Sequence, residues 1–139
     1  MTFEDTTLHE NNADDGGVVY VIDSSIVTMT NSVLTGNIAG SNGGAVYAEK
    51  ESIVTIGNCE FDMNTAILNN GGALHAMQDS NISIEVSNLT NNTARSGGAI
   101  SATLQCNIEI VQSMFDWNVA GRYGAVSYTH LTLPTIYSV

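Results

Sequence analysis

The chain offers few groups that could do chemistry. Its bases are Lys50, Arg95 and Arg122, set against 14 acids, 3 histidines and the cysteines Cys59 and Cys106. Acids that hold calcium while a base abstracts a proton beside a carboxylate are the chemistry these residue types would allow. The spacing does not assemble it. The three bases fall at non-equivalent places in a repeating pattern, and Asp14-Asp15 reads as a solvated acidic loop rather than a calcium site. Asp62 and Asp116 stand two repeats apart, too distant to share a proton or a metal, and Glu85 and Glu109, at offset positions on neighbouring repeats, read as a solvated face rather than an acid/base pair. His75 has no second imidazole or carboxylate at the equivalent place in adjoining repeats, so no metal is expected on it. No catalytic, cofactor or metal site is expected, and the reading is of a protein that is not an enzyme.

The net charge of −11, with only 3 Lys and Arg, excludes a phosphate-binding surface, so no nucleic-acid partner is expected. Tyr20, Tyr47 and His75 occupy one outward position in three successive repeats. Such a column could stack on sugar rings or seat a partner protein, or its rings could stack on one another and shield the chain beneath. Trp117 is read as packing against an adjoining loop.

What must position these residues is a repeat. Leu8-x-x-Asn11-x-Ala13 returns as Leu34-x-x-Asn37-x-Ala39, Phe61-x-x-Asn64-x-Ala66, Leu89-x-x-Asn92-x-Ala94 and Phe115-x-x-Asn118-x-Ala120, with spacings of 26, 27, 28 and 26. A glycine pair follows each time: Gly16-Gly17, Gly43-Gly44, Gly71-Gly72 and Gly97-Gly98, degraded to Tyr123-Gly124 in the fifth. From the second glycine to the next Leu or Phe the distance is always 17, whereas from the Asn to the second glycine it is 6, 7, 8, 6 and 6. One corner per unit is therefore elastic and the rest fixed, as in a coil whose units stack to bury a shared core.

The fixed part alternates with period two. Val27 and Met29, Val54 and Ile56, Ile82 and Ile84, and Ile108 and Ile110 point one way, with Thr28, Thr55, Ser83 and Glu109 between them. A second strand follows the glycines, with Val46, Leu74 and Ile100 inward. The expected fold is all-β: a right-handed parallel β-helix of 26 to 28 residues per turn, four to five turns, each of two or three short strands joined by tight corners. Asn11, Asn37, Asn64, Asn92 and Asn118 are expected to form an asparagine ladder at a corner where Asn adopts the left-handed conformation. Ser32, Cys59, Ser87 and Ser113 form a small inward column. The glycine pairs mark a bend with positive φ or no room for a side chain. A leucine-rich repeat would share the Asn ladder but leaves the doubled glycines unexplained.

Gly43-Gly44-Ala45-Val46 with Phe61-Asp62-Met63-Asn64, and Gly97-Gly98-Ala99-Ile100 with Phe115-Asp116-Trp117-Asn118, resemble the repeats of polymorphic outer-membrane proteins of the autotransporter type. The resemblance runs from about Phe3 to Ala125, with Leu34 and Leu89 in place of Phe and Val18 in place of Ala. It implies a right-handed, pectate-lyase-like β-helix and a role in adhesion or surface display. On that basis the chain is expected to be a non-catalytic, adhesin-like segment of a secreted or surface-displayed β-helix. Its partners would be a host or matrix protein or a glycan surface, and its location extracellular or on the cell surface. The alternative is the scaffold of a β-helical polysaccharide lyase or glycoside hydrolase whose catalytic turns lie elsewhere.

The reading takes residues 1–125 as a fragment of one β-helix domain and 126–139 as a non-native tail, because the string VSYTHLTLPT at 126–135 resembles a translated sequencing adapter. No apolar stretch approaches the length of a membrane span, and none of this segment is expected to insert in a membrane. Cys59 and Cys106 fall in different columns two turns apart, beyond the reach of a disulfide, so two free thiols are expected.

Overall fold

Alternation over short stretches, interrupted by corner residues, produces strands too short to bury a face alone. In the computed structural model, which describes residues 1–128 and 132–138, they stack as a parallel β-solenoid of five turns. The first turn holds β1 (Thr2–Glu4), β2 (Thr7–His9), β3 (Asn12–Ala13) and β4 (Val19–Val21). The second holds β5 (Ile26–Thr30), β6 (Val33–Thr35), β7 (Ile38–Ala39) and β8 (Val46–Glu49). The third holds β9 (Ile53–Gly57), β10 (Glu60–Asp62), β11 (Thr65–Ala66) and β12 (Leu74–Met77), and the fourth β13 (Asn81–Glu85), β14 (Asn88–Thr90), β15 (Thr93–Ser96) and β16 (Ile100–Thr103). The fifth holds β17 (Asn107–Asp116), β18 (Val119–Tyr123) and β19 (Val126–Tyr128), and β20 (Thr132–Ser138) lies beyond it. Among the described residues there is no helix.

The strands form three sheets, all paired in parallel. The first runs β1-β5-β9-β13-β17-β14-β10-β6-β2, the second β18-β15-β11-β7-β3 and the third β19-β16-β12-β8-β4. The first four turns have four strand segments each rather than two or three, because one left-handed residue breaks the long alternating strand. Asp5, Asn31, Asn58, Val86 and Gln112 hold φ of 48, 49, 50, 49 and 48 degrees at this bend. Only β17 runs through it unbroken, and it joins the two halves of the first sheet.

The register gives columns. Leu8, Leu34, Phe61, Leu89 and Phe115 are paired in succession, as are Val27, Val54, Ile82 and Ile108, and Val46, Leu74, Ile100 and Val126. From the second turn to the fifth the Leu/Phe column is fully buried, each member worth about 1.5–3 kcal/mol of removed apolar surface. The two glycines of each pair do different jobs. Gly43 is left-handed (φ 60), while a Cβ on Gly44 would collide with the carbonyl oxygen of Gly72 one turn on. The corner is tight because successive turns touch backbone to backbone there.

Residues 126–128 and 132–138, set apart as a tail by their sequence, pair here with β16 and β17. The β17 to β20 register shifts between each successive pair, unlike the single register held along the Leu/Phe column. Residues 129–131 and 139 of that stretch lie outside the described residues.

Candidate binding surface

The third sheet carries Tyr20, Tyr47, His75, Ser101 and Ser127 at one register position. Because adjacent parallel strands bring such side chains side by side, the rings stack: Tyr20 on Tyr47 at 5.0 Å and 10°, and Tyr47 on His75 at 5.3 Å and 15°. The column is not an open platform. Tyr20 is 47% exposed, but Tyr47 is 5% and His75 2% exposed, so their faces are used by one another. Glu49 closes it, accepting from Tyr20 Oη at 2.6 Å and Tyr47 Oη at 2.7 Å. Lys50 Nζ stands 3.7 Å from both Glu49 and Asp23.

The electrostatics of this cluster suit structure. Burial, with the bond to Glu49, pushes the Tyr20 phenol up to about 12 and Tyr47 higher still. Burial also pushes the Glu49 carboxyl up, but the two phenol bonds and the Lys50 charge outweigh it and hold it below the usual carboxylate value. His75 is pushed down to about 4 by burial, against weaker upward pulls from its bond to the Ser101 carbonyl and from Asp15 and Glu49. Its Nδ1 lies 3.1 Å from that carbonyl oxygen, so in the neutral ring Nδ1 carries the hydrogen. A sugar ring or partner can reach only Tyr20.

The asparagine column makes a continuous ladder. Nδ2 donates to the Oδ1 of the next turn from Asn11 to Asn37 at 2.9 Å, Asn37 to Asn64 at 2.9 Å, Asn64 to Asn92 at 3.0 Å and Asn92 to Asn118 at 3.0 Å. The same amide donates to a Leu or Phe carbonyl one turn back, as Asn64 does to Leu34 at 2.9 Å, and each Oδ1 also accepts the backbone N–H of the preceding Asn. The left-handed residue at this corner is not the ladder asparagine but the one before it: Glu10, Gly36, Met63, Asn91 and Trp117. That residue turns the chain inward, so the Asn side chain arrives already aimed along the stack.

The small inward column is hydrogen-bonded as a ladder too, and a second such ladder was not anticipated. Cys59 N–H donates to Ser87 Oγ at 2.9 Å and Ser87 N–H to Ser113 Oγ at 3.1 Å, while Ser52 N–H donates to Ser80 Oγ at 3.2 Å. Cys59 and Cys106 replace serine in these two columns, their Sγ atoms 3.2 Å from the Gly57 carbonyl and 3.1 Å from the Thr103 carbonyl. Both are free and buried, and burial pushes both thiols up. The elastic corner has its own column. Asn42 Nδ2 donates to Asp15 Oδ1 at 3.0 Å and Asn70 Nδ2 to Asn42 Oδ1 at 3.4 Å.

The acids stay dispersed. Glu85 pairs with Val111 rather than Glu109, and Asp62 accepts from Thr90 and Asn91, both at 2.8 Å. Asp15 is taken by Asn42, and among the described residues no cluster of His, Cys, Asp or Glu is placed to hold a metal.

A group of exposed large side chains lies on the second sheet instead. Its outward positions read Met63, Thr65 and Ile67 on the third turn, Asn91, Thr93 and Arg95 on the fourth, and Trp117, Val119 and Gly121 on the fifth. Trp117 is 78% exposed and does not pack against a loop, because its left-handed backbone (φ 53) points the indole off the corner. Met63, two turns below with neighbours on both sides, is 56% exposed, so this column stands out from the coil by geometry. Arg95 and Arg122, two of the three bases, are also exposed here.

Residues 31–49 and 87–103 match the Chlamydia polymorphic membrane protein (Chlamydia_PMP) repeat. In these two turns the chain is similar to that repeat. Each matched stretch runs from the bend before the Leu column, through the ladder Asn and the glycine pair, into the third sheet. Both have Leu rather than Phe in the buried column, so that exchange does not prevent the match. The intervening turn keeps the same register without a gap. No curated protein and no solved structure matches the chain.

Proposed function

We propose that this solenoid is a non-catalytic, adhesin-like stretch of a secreted or cell-surface protein, associated with the outer membrane as a passenger, and that the second sheet is its adhesive face. The observation that carries the reading is the protruding group Met63, Ile67, Leu68, Trp117 and Val119 around Arg95, exposed on adjoining turns. Trp, Met and Arg are the residue types that contact surfaces concentrate, and a rigid coil presents them without the entropy cost of ordering loops. The match of residues 31–49 and 87–103 to the polymorphic membrane protein repeat supports the surface setting. The charge of −11 disfavours nucleic acid and anionic lipid, leaving a host or matrix protein or a neutral glycan as the partner class.

The test is binding of the purified chain to host-cell surfaces, immobilised matrix proteins and a glycan array, compared with the Met63→Ala/Trp117→Ala double variant. Binding that falls roughly tenfold or more in the variant supports the reading, as truncation of contact hot spots does. No binding to any surface, or binding indifferent to both residues, removes it.

A further inference from the structure

The elastic corner holds the chain's two Asn-Gly dipeptides, Asn42-Gly43 and Asn70-Gly71, each followed by a second glycine, in one column headed by Asp15-Gly16. Glycine after asparagine is the sequence in which a backbone nitrogen most readily reaches a side-chain amide, since no Cβ hinders it. We propose that Asn70 is a self-modifying deamidation site and that Asn42, with the same flanking glycines, is held unreactive by the ladder. In the reaction the Gly71 nitrogen attacks Cγ of Asn70, a C–N bond forms, and the bond to Nδ2 breaks. Ammonia leaves with the proton released from the Gly71 amide. Water then opens the five-membered imide at either carbonyl, giving aspartate or isoaspartate.

The two sites differ in how firmly the amide is held away from that geometry. Asn42 is pinned from three sides: its backbone N–H and Nδ2 both donate to Asp15 Oδ1 at 3.0 Å, Nδ2 donates to Ser41 Oγ at 3.0 Å, and Oδ1 accepts from Asn70. Asn70 has one side-chain bond, at 3.4 Å, near the limit of a useful hydrogen bond. On its other side the column continues into Ser96, paired with Asn70 as an isolated bridge, whose side chain is too short to extend the ladder. The attacking nitrogens are equally engaged, Gly43 N–H with the Asn70 carbonyl and Gly71 N–H with the Ser96 carbonyl, both at 2.9 Å. The difference therefore rests on the side chains and on the corner itself, which is longest at Asn70, where Ile67 and Leu68 stand exposed.

The product is not neutral for the coil. A carboxylate at position 70 would face Asn42 Oδ1, acceptor against acceptor, so the top of the column would lose its one bond.

The experiment is a time course of the purified chain in mildly alkaline buffer at physiological temperature, with and without denaturing urea, followed by peptide mapping by mass. In the folded protein, acid should accumulate several times faster at position 70 than at 42, while in urea the two rates should agree. Asp15→Ala, which removes the main anchor of Asn42, should raise the rate at 42 toward that at 70. Equal rates in the folded chain, a faster reaction at Asn42, or an Asn42 rate unmoved by Asp15→Ala would each overturn the proposal.

Discussion

Asn64 and Asn92 are joined through Nδ2 and Oδ1 at 3.0 Å, and both are fully buried. Removing the Asn64 side chain leaves the Asn37 backbone N–H and Nδ2 without their acceptor, and frees the Leu34 carbonyl and Asn92 Oδ1. Asn64→Ala should therefore cost about 3 kcal/mol or more, since stranded buried donors cost about 1–3 kcal/mol each. Asn11→Ala, at the exposed first rung, should cost about 1 kcal/mol or less. Urea unfolding of the two variants checks this, and equal losses would mean the ladder is ornamental.

The second glycine of a pair should be irreplaceable, and a glycine outside it should not be. A methyl on Gly44 meets the Gly72 carbonyl oxygen and the Thr65 backbone, neither of which can move without parting two turns. A methyl on Gly40 meets only the Asp14 and Ala13 backbone, at 3.6 Å or more. Gly44→Ala should unfold the coil or cost several times more than a typical point change of about 1 kcal/mol. Gly40→Ala should be neutral or stabilising by about 0.4–1 kcal/mol, through the unfolded chain. Thermal melts of both variants decide it.

These glycines show what was legible from the chain alone. A residue type that only one backbone geometry accepts announces its place, and so did the Leu/Phe column and the ladder asparagines, because burial and pairing restrict type at every turn. The bend at Asp5, Asn31, Asn58, Val86 and Gln112 was invisible for the opposite reason. Four different residue types occupy its five positions, since a single left-handed residue with its side chain in solvent constrains backbone and not type. The stacking of Tyr47 and His75 was one of two readings of their column, since period-two alternation gives the direction of a side chain and leaves open whether a neighbouring ring or a partner lies over it. Trp117 misled because a ring of its size is expected to find a loop to pack against, whereas the left-handed φ that throws it outward leaves no trace in the residue itself.

Val86 is the misfit of that bend, a β-branched residue at φ 49, half exposed, where its neighbours on the turns before are Asn58 and Asn31. Left-handed backbone costs an L-residue about 1–2 kcal/mol, and Asn bears it better than Val. Asn58 Nδ2 already donates to Asn31 Oδ1 at 2.9 Å, so an amide at 86 would extend the row. Val86→Asn should raise stability by about 1 kcal/mol. A lower unfolding midpoint in urea, with unchanged slope, would count against strain at this bend.

His75 should make the coil sensitive to mild acid. Its folded value near 4 lies below the ordinary 6.5, so between these limits the unfolded chain binds a proton that the folded chain refuses. Stability is then full above about pH 6.5 and falls as pH drops toward 4, by at most about 3–4 kcal/mol at 1.36 kcal/mol per unit. Glu49, held below its usual value, adds a further loss only at the acid end, as it is protonated and releases Tyr20 and Tyr47. His75→Phe keeps a ring on Tyr47 but has nothing to protonate in this window, though it forfeits the bond to Ser101 and should be weaker at neutral pH. Its unfolding free energy, followed by urea titration across this range, should therefore decline less steeply than that of the native chain. Parallel curves for the two proteins would show that His75 is not the group that acid finds.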